Sequence, residues 1–256
     1  MLAELAGGLA MAFDPSLLME RAGRIPDPWQ VRVLRSTSPR MLLNVTRQGG
    51  KSSTVAALTL HTALFQPKSL SLILSPGERQ SKETFRKCLD IYHELGRPIP
   101  ADAENKLELE LTNGSRIVAL PGVEGTVRGY SGVALLIVDE ASRVDDTLYA
   151  AVRPMLAVSG GHLVALSTPW GKRGWWYDAW QSGEAWERYE VPATDCPRIH
   201  PDFLAEERRV LGDLWFRSEY LCQFTDTVDQ VFATDDIQAA LSAEVAPLFP
   251  LVWGAV

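Results

Sequence analysis

Two short stretches of this chain carry residue types that could act together on a phosphate. The first is TRQGGKSS, Thr46 to Ser53. Gly49 and Gly50 let the backbone curl close to an anion with no Cβ in the way. Backbone N–H groups at the start of a following helix direct partial positive charge at one spot. Lys51 would reach the β- and γ-phosphates, and the Ser52 hydroxyl would ligate Mg²⁺. Thr46, Arg47, Gln48, Gly49, Gly50, Lys51, Ser52 and Ser53 are therefore the candidate nucleotide cradle. The second stretch is Asp139-Glu140, two carboxylates directly after the apolar run Val133 to Val138. Asp139 would hold Mg²⁺ through water, and Glu140 would orient and polarise an attacking water. The standard phosphate-loop pattern has glycine six residues before the lysine, where this chain has Val45. An ordinary strand–turn–helix competes with the nucleotide reading at the first stretch, and a solvent-facing acidic strand end at the second.

The elements that must position these residues follow from periodicity. Met41 to Val45 predicts a strand, and the residues after Lys51 a helix through Ala56, Leu58 and Leu60. Ser69 to Ser75 predicts a buried strand. Gly77 to Leu95 predicts a helix with Phe85, Leu89 and Tyr92 on one face. Leu107, Leu109 and Leu111 alternate with Glu108 and Glu110, Asn113-Gly114 marks a tight turn, and Ile117 to Leu120 returns as a hairpin. Val133 to Val138 is too apolar for an edge and predicts a central parallel strand. Asp145 to Leu156 predicts a capped helix, and His162 to Leu166 a further buried strand. Strands alternating with helices predict an α/β, doubly wound, mainly parallel sheet, with ligands at the carboxyl ends of its strands.

Further residues have two readings each. Asp27 is a good N-cap with Pro28 at the first helical position, so a helix starts at Trp29-Gln30. Gln30 would either hydrogen-bond an adenine edge or belong to a capped surface helix. The Gly-rich loop Pro121 to Gly132 carries Arg128, either a solvated loop residue or a finger that stabilises charge developing in phosphoryl transfer. Arg47 is a second candidate for that role and Arg143 a weaker third. Ser167-Thr168-Pro169, at the mouth of a core strand, either senses a γ-phosphate or is plain turn chemistry. Trp170, Trp175, Trp176, Trp180 and Trp186 fit packing of a lid against the core better than base stacking. Asp195, Asp226, Asp229, Asp235 and Asp236 show no recurrent ligand spacing and fit loop capping better than a metal nuclease.

At 256 residues and 46% hydrophobic, the chain can bury a sizeable core. Its net charge of −7 argues against a surface coated in positive charge, while leaving room for a local basic face. Cys88, Cys196 and Cys222 are far apart and suggest neither zinc nor a disulfide framework. The N-terminal residues 1–23 lack a basic n-region, are interrupted by Asp14-Pro15, and predict helix, loop, helix. No apolar run reaches membrane-spanning length, so no membrane association is expected.

Taken together, the loop TRQGGKSS, the VDEA carboxylates behind an apolar strand, PWQ upstream and STP downstream resemble the ATPase domain of the large terminase subunit, the DNA-packaging motor of tailed bacteriophages. The resemblance covers roughly residues 27–180, and that family's loop tolerates the missing first glycine. It implies that ATP and Mg²⁺ are the cofactors, with Arg47, Lys51 and Ser52 on phosphates and metal and Gln30 at the adenine. It further implies that Asp139 and Glu140 form the second carboxylate motif. Ser167 to Pro169 would couple hydrolysis to motion, and Arg128 would be inserted into a neighbour's site. The implied partners are double-stranded DNA, a portal protein, a small terminase subunit and further copies of the chain in a ring, expected to be pentameric. The implied location is the host cytoplasm. The expected layout is a phosphate-loop ATPase core over 1–182, with 1–26 an N-terminal helical segment, and a small mostly helical lid over 183–245. Residues 246–256 would be the first strand of a nuclease domain otherwise missing. The alternatives are a DEAD-like helicase or translocase and a non-catalytic nucleotide-binding scaffold. A water-polarising Glu140 argues against the scaffold.

Overall fold

The computed structural model describes residues 2–122, 127, 129–226 and 234–241. Arg128, Asp229 and residues 246–256 lie outside them. The described chain forms two units, residues 1–225 and 226–256. In the second, Thr234–Ala240 is a helix, α9.

The first unit is built on an 8-stranded sheet in the order β3-β4-β5-β2-β6-β7-β1-β8. The strands are β1 (Arg40–Val45), β2 (Leu70–Ser75), β3 (Ala101–Glu104), β4 (Glu108–Leu111), β5 (Arg116–Pro121), β6 (Leu135–Asp139), β7 (His162–Ser167) and β8 (Glu187–Val191). From β5 to β8 along that order every pairing is parallel, and β4 runs antiparallel to both β3 and β5. This is the mainly parallel sheet expected, with the Asn113-Gly114 hairpin as its antiparallel end.

Strand side chains alternate between two apolar layers, as the pleat requires. Met41, Leu43, Val45, Ile73, Ile137, Val164 and Leu166 face one layer. It is completed by helices α2 (Ser16–Arg21), α3 (Pro28–Arg35), α4 (Lys51–Phe65) and α5 (Glu78–Glu94). Leu42, Leu72, Leu74, Leu136, Val138, Leu163 and Ala165 face the other, under α6 (Asp146–Val152) and α7 (Gly174–Gln181). Burial on both faces explains why these strands read as continuous hydrophobic runs. Ahead of them lies α1 (Leu2–Phe13), so the N-terminal helix–loop–helix is present.

Two expectations about the C-terminal part change. Within the range expected for the lid, residues 183–245, β8 pairs in parallel with β1 and closes the core sheet. Its sequence, ERYEV, reads locally as a half-exposed strand, and only the long-range pairing assigns it to the core. The tryptophans divide as well. Trp175, Trp176 and Trp186 are buried in the second apolar layer of the core itself. Trp170 alone of the five stacks toward the long helix α8 (Pro201–Glu219), its ring centroid 5.8 Å from that of Trp215. Helix α8 is kinked at Gly212, whose φ of 77° would strain a side chain.

Candidate active site

The carboxyl ends of three neighbouring strands build the site. In sheet order β1 delivers the loop at 46–53, β7 delivers Ser167 to Pro169, and β6 delivers Asp139 and Glu140. The loop leaves β1 held by backbone hydrogen bonds. Thr46 N–H donates to Val191 O of β8 (3.0 Å) and Gly49 N–H to Thr46 O (3.2 Å). A Cβ on Gly49 would lie 2.7 Å from Val45 Cγ1, so a side chain there is excluded. Gly50 caps α4 at φ 96°, a left-handed conformation that favours glycine. The valine in place of the first glycine is thus accommodated: Val45 stays in the strand, fully buried, and packs over the turn at Gly49.

Lys51 opens α4 and is buried, with Nζ 3.5 Å from Glu140 Oε1. Ser52 Oγ donates to Asp139 Oδ2 at 3.4 Å. The loop and the acidic strand end, distant in sequence, therefore meet. Asp139 is 3% exposed, and its carboxylate also accepts from Thr84 Oγ1 of α5 (2.6 Å) and from the Glu140 N–H (2.9 Å). Burial pushes its pKa up, while the Thr84 hydrogen bond and the Lys51 charge oppose the rise. Glu140 adopts φ 52°, ψ 43°, the left-handed region, which is uncommon for a non-glycine residue and is held here by its surroundings. Its carboxylate faces Lys51 and lines the cavity described next.

The donors fit a Mg²⁺ ion. A hydroxyl and a buried carboxylate oxygen adjoin each other, and hard oxygen ligands are what that ion takes from a protein when phosphates supply the rest. No cluster of three or more His, Cys, Asp or Glu exists among the described residues, so no all-protein metal cage competes with this pair.

These groups border a cavity of about 770 Å³ lined by Gln30, Arg47, Gln48, Gly50, Lys51, Ser52, Ser53 and Glu140. Lys87, Arg24, Arg198, Phe203 and Tyr220 complete its charged and aromatic lining. Gln30 is buried and its amide is engaged: Oε1 accepts from the Asp27 N–H at 2.8 Å, and Nε2 donates to Thr54 Oγ1 at 2.8 Å. It thus braces the loop as well as lining the cavity. Arg198 and the aromatic pair carried no signal in the sequence. Arg198 donates to Gly49 O (3.1 Å) and to Asp27 Oδ1 (2.7 Å), spanning from the loop to the start of α3.

Arg47 is held by a different carboxylate from Lys51. Its Nε is 3.1 Å from Glu219 Oε2 at the end of α8, at ion-pair distance but without hydrogen-bond alignment. The same turn of α8 is sewn to the strand ends: Glu219 O accepts from Thr46 Oγ1 and the Arg47 N–H, and Ser218 Oγ donates to Pro169 O at 2.9 Å. Cys222 O accepts from Asn44 Nδ2 at 2.7 Å. Ser167 shares a 2.7 Å hydrogen bond with Ser142, just after the carboxylates, and Thr168 is buried. Arg143 lies 3.8 Å over the Trp170 ring and does not line the cavity. Arg128 is outside the described residues.

The fold and the site define a doubly wound phosphate-loop protein with an acidic strand end facing the loop. Over residues 42–239 the chain matches the N-terminal region of the terminase large subunit, T4likevirus-type, and it belongs to that family. The large terminase subunit of Thermus virus P23-45 is 26% identical over 88% of this chain and 54% of its own length. The chain thus spans about half the length of the curated relatives it matches. In fold it is similar to the large terminase ATPase domain of Thermus phage P74-26, with a TM-score of 0.72 at 22% identity over 81% of this chain and 97% of that one. It is also similar to the large terminase of a thermophilic bacteriophage solved in complex with ADP, with a TM-score of 0.63 at 10% identity over 78% of this chain and 54% of that one.

Proposed function

We propose that this chain is the ATP-hydrolysing motor domain of a viral DNA-packaging machine. The observation that supports it most is the meeting of Lys51 and Ser52 with Glu140 and Asp139 across β1 and β6. In this reading the backbone of residues 46–53 cradles the phosphates and Lys51 neutralises charge on the β- and γ-oxygens. Glu140 releases Lys51 to the phosphate and then orients the attacking water. Ser52 and Asp139 would hold Mg²⁺, which when bound supplies charge neutralisation at the transferring phosphoryl group. Gln30 fixes the loop from behind and borders the adenine end of the cavity. Ser167 to Pro169 relay the state of the site to α8 through Ser218. Arg47 in the loop, or Arg128 from a neighbouring copy, stabilises the charge that develops in the transition state.

The wider assignment follows the family. The ATPase domain of the P74-26 terminase and the ADP-bound terminase of the thermophilic bacteriophage are similar in fold, which supports a nucleotide as ligand. On this reading the motor acts on double-stranded DNA from a ring, expected to be pentameric, with a portal protein and a small terminase subunit, in the host cytoplasm. No helix among the described residues is long and apolar enough to cross a membrane. The proposed lid lies within residues 183–245, apart from β8, which closes the core sheet.

Glu140→Gln tests the proposal. It should leave ATP binding within about twofold and lower hydrolysis on the order of a hundredfold or more, since a water-positioning base is worth that much in the transition state. Lys51→Ala should weaken binding itself. Turnover at the parental rate in Glu140→Gln would remove the catalytic assignment.

A further inference from the structure

One charged group in the cavity has no assigned role. Lys87 lies on α5, one turn beyond Thr84, which holds Asp139. It lines the same cavity as Lys51, Ser52 and Glu140. Every other cation of that lining has a carboxylate partner. Lys51 pairs with Glu140, Arg47 with Glu219, Arg198 with Asp27 and Arg24 with Glu94. Lys87 alone forms no ion pair among the described residues. Asp139 and Glu83 attract it from beyond ion-pair range.

A half-buried ammonium without a counter-charge is costly, because water is partly excluded and nothing replaces it. Such a group in a ligand cavity implies that the ligand is anionic and supplies the missing charge. Position narrows which part of the ligand. The phosphate loop ends β1, β7 and β6 follow across the sheet, and α5 descends from β2 on the far side of β6. Lys87 therefore enters the cavity from the β2 side of β6, close enough to Asp139 to feel its charge, whereas the loop enters from β1. In the nucleotide reading the terminal phosphoryl group lies toward these carboxylates.

We propose that Lys87 is a second phosphate-contacting residue of this site, delivered by α5, that binds the terminal phosphoryl group of a nucleoside triphosphate and makes no contact with a diphosphate. This inference rests on the nucleotide reading above and adds to it a residue that tells triphosphate from diphosphate. It also gives α5 a stake in the ligand: the helix that carries Lys87 also carries the hydroxyl that positions Asp139.

The test is equilibrium binding of ATPγS and of ADP, each with Mg²⁺, to the full chain and to Lys87→Met and Lys87→Arg. Lys87→Met keeps the length and removes the charge. It should weaken ATPγS about tenfold or more, the scale of one charge-assisted hydrogen bond, while ADP changes less than about twofold. Lys87→Arg should recover most of the loss. Equal weakening of both nucleotides would make Lys87 a structural counter-charge to Asp139 and overturn the proposal, as would no change in either. Should the methionine variant fail to fold by circular dichroism, Lys87→Gln takes its place with the same expected selectivity. A parental chain that binds neither nucleotide overturns the nucleotide reading itself. A parental chain that binds both, with no selective loss in the variants, overturns only the role of Lys87.

Discussion

Arg47 and Glu219 meet above the sheet, Arg47 Nε standing 3.1 Å from Glu219 Oε2, and they tie the phosphate loop to the last turn of α8. The two ends of this pair are unequal. The Arg47 side chain is 64% exposed and the Glu219 side chain only 8%. Removing the arginine leaves a buried carboxylate with no counter-charge, whereas neutralising the glutamate leaves a guanidinium in water. Arg47→Ala should therefore destabilise by about 1–3 kcal/mol, and Glu219→Gln by less than about 1 kcal/mol. Urea unfolding of the two variants measures the difference. The reverse order would mean that the pair does not hold the turn down.

Gly50→Ala should be costly twice over. The residue sits at φ 96°, and a Cβ would lie 2.9 Å from Gln30 Nε2 and 3.3 Å from Arg198. The backbone strain alone is about 1–3 kcal/mol. Because the displaced groups brace the loop, nucleotide affinity should fall more steeply than stability. Parallel thermal melts and binding titrations check this, and a variant with parental affinity would show that the loop tolerates the shift.

Arg128 gives a prediction that depends on assembly. If it acts on a neighbouring copy, Arg128→Ala should abolish hydrolysis with little change in nucleotide affinity. Mixing it with Lys51→Ala, itself inactive, should restore part of the activity, because some interfaces then join an intact loop to an intact arginine. No recovery in mixtures shown to co-assemble would pass the charge-stabilising role to Arg47.

A pH effect is expected far from the site. The Arg35 guanidinium beside Asp14 holds that carboxyl down at about 2, against an ordinary 3.8. A depressed carboxyl stabilises the fold above its unfolded value and loses that contribution as pH falls through the folded one. The stability gap between the parental chain and Asp14→Asn should thus be present near neutrality and close toward pH 2. The arginine is exposed to solvent, which screens the pair, so the gap should be small. A gap that widens on acidification would reverse the assigned sign.

Much of this was legible locally. Asp27 and Pro28 start α3 where capping rules put it, and the amphipathic pattern of residues 77–95 became α5 within a residue at each end. The three strands that end at the site announced themselves as apolar runs because both their faces are covered. What escaped was set by distant pairing. The acidic, weakly β-forming ADAE became β3 only because β4 offered it an edge. Arg198, Phe203 and Tyr220 reach the cavity from a segment whose sequence says nothing about a ligand. The left-handed backbone of Glu140 was equally hidden, since glutamate gives no hint of such a conformation.

The placement of β1 between β7 and β8 also governs how this molecule comes into being. Met41 is registered against Val164 on one side and Glu187 on the other, both far downstream. The strand that presents the phosphate loop therefore cannot be flanked until most of the chain has been synthesised. Contacts of such long sequence separation are slow to form. On a ribosome the early hydrophobic strand must wait, and the surroundings of Lys51 are completed only with the closing of the sheet, which would make any ligand binding there a reporter of completed folding.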